Sequence, residues 1–472
     1  MKIIDYLIFG LYFIGVLAIG VFFYRRNKNR EDYYVGGRDI SAAHIGMSIV
    51  ATDVGGGFSV GLGGLGFAMG LSGSWLLFTG LVGAWMAAIF TVPVVKKLDQ
   101  THRFFTYPDF LRLAFGPRVA MAAALISGIG YLGFTGAQVL AGAKLAAGSV
   151  LADVHWVDPQ TLALYVMAVV ILGYTVMGGL KAVIYTDTVQ WIILLAGLTF
   201  FGLPFAFMKV GGWAGLHAAL PSSFFSLSNV SGVQIVNWFV TIIPIWFVAM
   251  TLYQRIYATR SVKEARRAFL TAGLLEYPVM AFLGVALGMM ARVIFPLAEP
   301  EMGMPMLLRD SLPIGVTGVV IAAYFSAIMS TADSCLIASS GNWVNDIYER
   351  WGGRQREASI KVSQGVTLVI GVLALVLASQ FKSVLDLILH AYAFMVSGLL
   401  VPTVAAYFTK HRYPRAALYS MLGGGGVTLL LQVTQWPLPL GLDATLFGLT
   451  ASLLLYLGMG VLEKNRPVER IV

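Results

Sequence analysis

Charge is scarce in this chain. Aspartate, glutamate, lysine and arginine make up 12% of its 472 residues, where a soluble protein carries about 25%. With 58% hydrophobic residues, that shortage excludes a soluble globular protein. Cysteine is scarcer still. The single Cys335 excludes an intrachain disulfide framework, and its apolar surroundings suit a small packing residue. There are 6 histidines, and neither a His/Cys cluster of metal-ligand spacing nor a nucleophile motif is present. The sequence therefore points away from an enzyme, a transition-metal centre or an organic cofactor. The net charge of +9 does not signal nucleic-acid binding, because the basic residues gather in short loops between apolar runs.

Those runs are what the chain has in abundance. They are longer than barrel strands and give an all-α membrane protein of about 13 transmembrane helices, about 20 residues being enough to cross the hydrocarbon. The predicted spans are 3–24, 42–70, 73–95, 118–150, 161–179, 184–209, 232–255, 268–295, 313–341, 361–380, 383–408, 414–434 and 443–463. Residues 3–24, with Asp5 near their start, read as a span rather than a cleaved leader. With the loop after the first span inside, the inner loops and helix ends collect Arg25, Arg26, Lys28, Arg30, Arg38, Lys96, Lys97, Arg103, Arg255, Arg260, Arg350 and most other basic residues. Only Lys2, Lys144, Lys209, Arg292, Arg309 and Lys382 fall towards the outside. This bias predicts a multi-pass protein of the cell membrane, with an outside N-terminus and a cytoplasmic C-terminus. The outer segments near 210–231 and 296–312, the latter with Glu299, Glu301 and Asp310, predict short surface helices or lids.

One place breaks the apolar pattern most sharply. Residues 51–57 read Ala-Thr-Asp-Val-Gly-Gly-Gly, in the middle of a span. A carboxylate at that depth costs on the order of 2.5–3.5 kcal/mol on insertion scales, and each glycine weakens a helix by about 1 kcal/mol relative to alanine. The pattern makes sense if the helix breaks and its freed carbonyls, with Asp53, hold a cation. The plainer alternative is a glycine-packed helix contact around a buried Asp.

Span counting predicts an internal repeat. Residues 42–209 and 232–408 each hold five spans, and five is odd, so the second half enters the membrane from the opposite side. The second half opens on Thr241-Ile-Ile-Pro-Ile-Trp246, where Pro244 predicts a second break. The remaining segments are 1–41 with the first flanking helix, a 210–231 outer loop, and 409–472 with two C-terminal flanking helices.

The ninth span carries Phe325-Ser-Ala-Ile-Met-Ser-Thr-Ala-Asp-Ser334. At about 100° per residue, Ala327, Ser330, Thr331 and Ser334 share one face. Hydroxyls and carbonyls are hard donors suited to Na⁺, although Ser and Thr also back-bond within a helix or pack helices closely. Asp187 reads equally as a helix-start residue and as a carboxylate on an ion's inner exit route.

With these residues the chain resembles the sodium/solute symporter family, carriers of proline, sugars, sialic acid, pantothenate, monocarboxylates and choline. The resemblance rests on Asp32-Tyr-Tyr-Val-Gly-Gly-Arg38, Ala51-Thr-Asp-Val-Gly-Gly-Gly57, Gly178-Gly-Leu-Lys-Ala-Val-Ile-Tyr-Thr-Asp187, Gln254-Arg255 with Ala258-Thr-Arg-Ser261, and Ser330-Thr-Ala-Asp-Ser334. It implies the leucine-transporter-type fold, with two inverted five-helix repeats. It implies a sodium site built from the carbonyls of Ala51, Val54 and Ala327 and the hydroxyls of Ser330 and Thr331, with Asp53 tied to coupling. A second sodium site would fall on Asp187, Ser330, Asp333 and Ser334, where Asp333 replaces the hydroxyl of the members best known for it.

For the solute, the resemblance points to Phe58, Trp246 and His390. Phe58 stands where sugar and sialic-acid carriers have a polar residue. His390 matches a sugar-contacting position, and Asp386 four residues earlier offers it a structural partner. No arginine is expected at the midplane to clamp a carboxylate, and the region around Trp246 lacks the Lys or Asp of some relatives. Tyr131, Phe134, Trp246 and Phe247 offer either a cation–π surface or simple packing. The implied activity is sodium-coupled uptake of a small organic solute by alternating access in the lipid bilayer. A proton-coupled carrier of the same fold and a transporter-like sensor are the competing readings. The sequence leaves the oligomeric state open.

Overall fold

The computed structural model describes residues 1–24, 34–154, 156–175, 180–350, 360–409 and 411–464. Outside these lie Arg25, Arg26, Lys28 and Arg30 of the first predicted inner loop, and parts of two family motifs, Asp32-Tyr33 and Gly178-Gly179.

Every described regular element is helical. The main helices are α1 (Ile3–Tyr24), α2 (Ala42–Asp53), α3 (Gly55–Met69), α4 (Trp75–His102), α5 (Tyr107–Phe115), α6 (Pro117–Gly148), α7 (Pro159–Thr175), α8 (Leu180–Gly197), α9 (Leu203–Lys209), α10 (Gly212–Ala219), α11 (Gly232–Val248), α12 (Met250–Ala258), α13 (Val262–Leu275), α14 (Phe282–Ile294), α15 (Pro300–Ser311), α16 (Val316–Gly341), α17 (Ile360–Ala378), α18 (Val384–Phe408), α19 (Pro414–Thr434) and α20 (Ala444–Lys464). Among the described residues, 8 helical stretches are long and apolar enough to cross a membrane, or 9 with the bent pair α11–α12 counted as one span. Among the described residues each predicted span overlaps a helix or helix pair, but the apolar stretches in α1, α7 and α17 are shorter than the rest, so the predicted number of spans is not matched. The two segments predicted to form short surface helices or lids hold the short helices α10 and α15, of which α15 is largely buried.

Burial sorts the helices into a centre and a rim. The apolar stretch of α16 is wholly buried, packed between α6, α8 and α1. The stretches in α19 and α20 are mostly exposed, and they present large side chains such as Leu430, Val433, Leu454 and Leu457 outward. Apolar surface of that extent needs lipid rather than water around it. Asp5 fastens the first helix to the central one: its carboxylate accepts from the N–H groups of Gly315, at 2.7 Å, and Gly318, at 3.1 Å, donors that the start of α16 leaves free.

Two helices break inside the bundle. Between α2 and α3, Gly55 has φ +36°, and a methyl group there would overlap the Thr331 hydroxyl. Both backbone and space therefore require glycine. The second break is not at Pro244, as the sequence predicted. The helix α11 runs through Pro244 and ends at Val248, and the chain bends by 42° into α12. The tyrosines explain the displacement. The Tyr253 hydroxyl donates to the Phe247 carbonyl at 2.9 Å, and the Thr251 N–H donates to the Tyr131 hydroxyl at 3.0 Å. Side chains thus satisfy the backbone groups that a break there leaves unpaired.

Candidate ion and solute site

The first break faces the central helix. The Thr331 hydroxyl lies 3.0 Å from the Ala51 carbonyl and 3.1 Å from the Ala327 carbonyl. Its single proton serves one of them at a time, leaving oxygen lone pairs directed together. The Val54 peptide lies at the break itself, its N–H held by the Val50 carbonyl at 2.9 Å. Ala51, Val54, Ala327 and Thr331 thus meet around one junction of α2, α3 and α16. Ser330 turns aside: its hydroxyl donates to the Asp187 carboxylate.

Asp187 lies in a second, fully buried cluster. The Ser48 hydroxyl donates to it at 2.5 Å, and the Arg255 guanidinium approaches it at 3.5 Å. Arg255 also donates to the hydroxyls of Ser48 and Ser334, each at 3.0 Å, and of Thr52 at 2.5 Å. Arg255, which charge counting placed among the inner loops and helix ends, lies in the last turn of α12 but is not solvated. It is 0% exposed, carried inward by α12. Asp187, Ser330 and Ser334 of the predicted second sodium site surround its charge, and Asp333 is buried on the same turn of α16.

The predicted solute residues separate. The Phe58 ring packs against Tyr392 at 6.0 Å, and Tyr392 against Phe134 at 5.2 Å. Tyr392 also lies beside the Asp53 carboxylate. Trp246 is fully buried against Gly83 of α4 and edge-on to Phe269 at 6.0 Å. His390 joins neither group. It is exposed on α18 and lies 2.7 Å from the Asp386 backbone carbonyl rather than meeting that residue's carboxylate.

Charged networks tie the bundle at both ends of α16. Near its start, Lys144 of α6 is buried against Glu299 and Glu301. Glu301 in turn accepts from the first N–H groups of α18, Val384 at 2.9 Å and Leu385 at 3.1 Å. Beyond its other end, Arg350 pairs with Asp109 at 2.7 Å and Asp346 at 3.1 Å. There too Lys96 donates to Asp99 at 3.0 Å and to the Tyr257 carbonyl at 2.9 Å.

Sequence reasoning missed Tyr392 and Glu276 as members of this region. Glu276 had a signal: an acid within the predicted span 268–295, two residues before Pro278. The rule that singled out Asp53 applies to it equally. Tyr392 had none, since only packing identifies it.

Comparison with known proteins decides what the geometry serves. A model of the sodium:solute symporter family matches residues 33–424. The chain belongs to that family. It is 28% identical over 429 residues to the high-affinity proline transporter PutP of Bacillus subtilis (strain 168), covering 88% of this chain and 89% of the other. It is 30% identical over 460 residues to the sodium/myo-inositol cotransporter 2 of Oryctolagus cuniculus, covering 86% of this chain and 65% of that protein's length. A solved structure of a Na⁺-coupled sialic acid symporter, substrate-bound and outward-open, superposes with a TM-score of 0.80 at 21% identity, covering 100% of both chains. This symporter is accordingly a multi-pass membrane protein of the leucine-transporter-type fold, and it couples Na⁺ to the movement of a small solute.

Proposed function

We propose that the symporter binds its driving sodium ion at the junction of α2, α3 and α16. The carbonyls of Ala51, Val54 and Ala327 and the hydroxyl of Thr331 are its ligands, and Ser330 is recruited from Asp187 when the ion binds. The convergence of the Thr331 hydroxyl on two carbonyls beside a glycine-only break carries this reading. The donors are hard oxygens, and a half-helix end supplies carbonyl dipoles to a cation. Asp53 flanks the break and adds negative charge without sitting in the first ring of ligands.

One sodium ion per cycle is the stoichiometry this arrangement favours. The predicted second site holds a fixed cation of its own, Arg255, and a mobile ion there would repel it at short range. Residues 42–209 and 232–408 serve as the two inverted halves, each opening on a broken helix. Solute binds between Phe58, Tyr392 and Trp246. Alternating access rocks one set of helices against the other, with the Lys144–Glu301 network closing one end and the Arg350 and Lys96 networks the other. The N-terminus is outside and the C-terminus cytoplasmic, so sodium flow down its gradient drives uptake.

The test is uptake into proteoliposomes of labelled proline and myo-inositol, among other small solutes, at fixed pH, with external sodium replaced by potassium. Uptake should require sodium. A solute accumulated equally well in potassium would reject sodium coupling at this site.

A further inference from the structure

Glu276 is the least explained side chain in the molecule. It lies midway along the continuous helical stretch from α13 to α14, where lipid or protein replaces water. It is 0% exposed, and neither carboxylate oxygen has a hydrogen-bond partner among the described residues. Among the described residues no lysine, arginine or histidine pairs with it. A buried carboxylate in that state is costly unless a partner arrives.

The backbone around it is also irregular. Residues Glu276–Ala281 form a π-helical turn. Pro278 supplies the cause, because it lacks an N–H and its ring conflicts with the regular ladder. The wider turn carries Glu276 towards α4. A methyl group on Gly80 would lie 2.6 Å from the Glu276 Oε2. One turn further along the same face, a methyl group on Gly83 would overlap Trp246 and lie 3.0 Å from its Nε1. That indole nitrogen is likewise buried and without a hydrogen-bond partner. Two glycines on one face of α4 therefore make room for a carboxylate and an indole, both with unused polar atoms.

Asp53 completes the group. Its carboxylate is near enough to that of Glu276 for the two like charges to oppose each other. Asp53 is partly exposed and forms no ion pair among the described residues. Among the described residues neither Asp53 nor Glu276 thus has a fixed counter-charge, while Asp187 has Arg255. The sodium site proposed at the first break adjoins Asp53 and leaves Glu276 to meet a positively charged group.

We propose that the solute supplies this positive group: Glu276, with the Trp246 ring beside it and Asp53 in electrostatic range, forms an anionic subsite for an ammonium group, so the transported compound is an amine, quaternary ammonium compound or amino acid rather than a sugar or polyol. The carboxylate neutralises the nitrogen and the indole face adds cation–π attraction. This rests on the sodium-coupled reading above and names its substrate class.

The experiment is thermal unfolding of the purified full-length protein in detergent with saturating NaCl. Proline and choline are titrated against counterparts uncharged at the position of the nitrogen, tetrahydrofuran-2-carboxylate and 3,3-dimethylbutanol, and against myo-inositol. At least one nitrogen cation should raise the unfolding temperature, and its uncharged counterpart should not. Glu276→Gln should weaken that ligand's half-saturation at least tenfold while leaving the shift caused by NaCl alone intact. That sodium-only shift also shows that the variant folds, and Glu276→Asp, which keeps the charge, should recover part of the affinity. Stabilisation by myo-inositol or by an uncharged counterpart would overturn the proposal, as would no response to either nitrogen cation or unchanged affinity in Glu276→Gln. If NaCl itself fails to stabilise the wild type, the sodium reading fails instead.

Discussion

Asp187 and Glu276 are both 0% exposed acids in the helical bundle, yet the fold surrounds them in opposite ways. Asp187 accepts from two serine hydroxyls and faces Arg255 at 3.5 Å. The Glu276 carboxylate has no hydrogen-bond partner among the described residues. The first arrangement holds its own counter-charge and can persist through a cycle. The second is incomplete without something that comes and goes. On the proposal made for Glu276, that difference separates the frame from the cargo site.

The comparison can be broken most forcefully at Arg255. Arg255→Ala leaves Asp187 buried and uncompensated, and removing one member of a buried pair costs about 3–5 kcal/mol. Thermal unfolding should show a large loss for Arg255→Ala, whereas Glu276→Gln, which removes an unpaired charge, should be neutral or stabilising. Equal losses would mean the two acids are not treated differently.

Gly55→Ala should act on the ion. It places a side chain at φ +36° and against Thr331, with strain of about 1–3 kcal/mol. Sodium-dependent stabilisation should disappear, while residual folding is visible by circular dichroism. Gly83→Ala should act on the solute side. The added methyl overlaps the Trp246 ring, an overpacking cost of about 1–3 kcal/mol. Its half-saturation for solute should worsen while that for sodium holds. His390→Ala should have the smallest effect, below about 0.5 kcal/mol in stability. Titration should show unchanged solute affinity, because the ring faces away from both groups.

Much of this was legible in the chain. Apolar runs long enough for lipid placed the helices, since nothing else satisfies backbone groups there. Asp53 and its glycines marked the first break, because local chemistry forces it. The second break was misplaced for a physical reason. Proline weakens a helix where it stands, but the rupture came at Ala249, where the hydroxyls of Tyr131 and Tyr253 could take over the backbone bonds. Arg255 was counted among the inner loops and helix ends, and it does lie in the last turn of α12, but its burial was not foreseen. Its partners come from α2, α8 and α16, which no local pattern reveals. His390 sits on the predicted helix but on its outer face. Tyr392, two residues and roughly 200° further round, takes the inward position.

The central claim is that sodium binds where Thr331 meets the broken helix. The most direct measurement is the unfolding temperature of wild type and Thr331→Val across a titration of NaCl against KCl at constant ionic strength. Binding to the folded state alone raises stability with ion concentration. Sodium should stabilise wild type in a saturable manner that potassium does not reproduce, and Thr331→Val should lose most of that gain. Equal stabilisation by potassium, or a Thr331→Val variant with the full sodium response, would contradict the account.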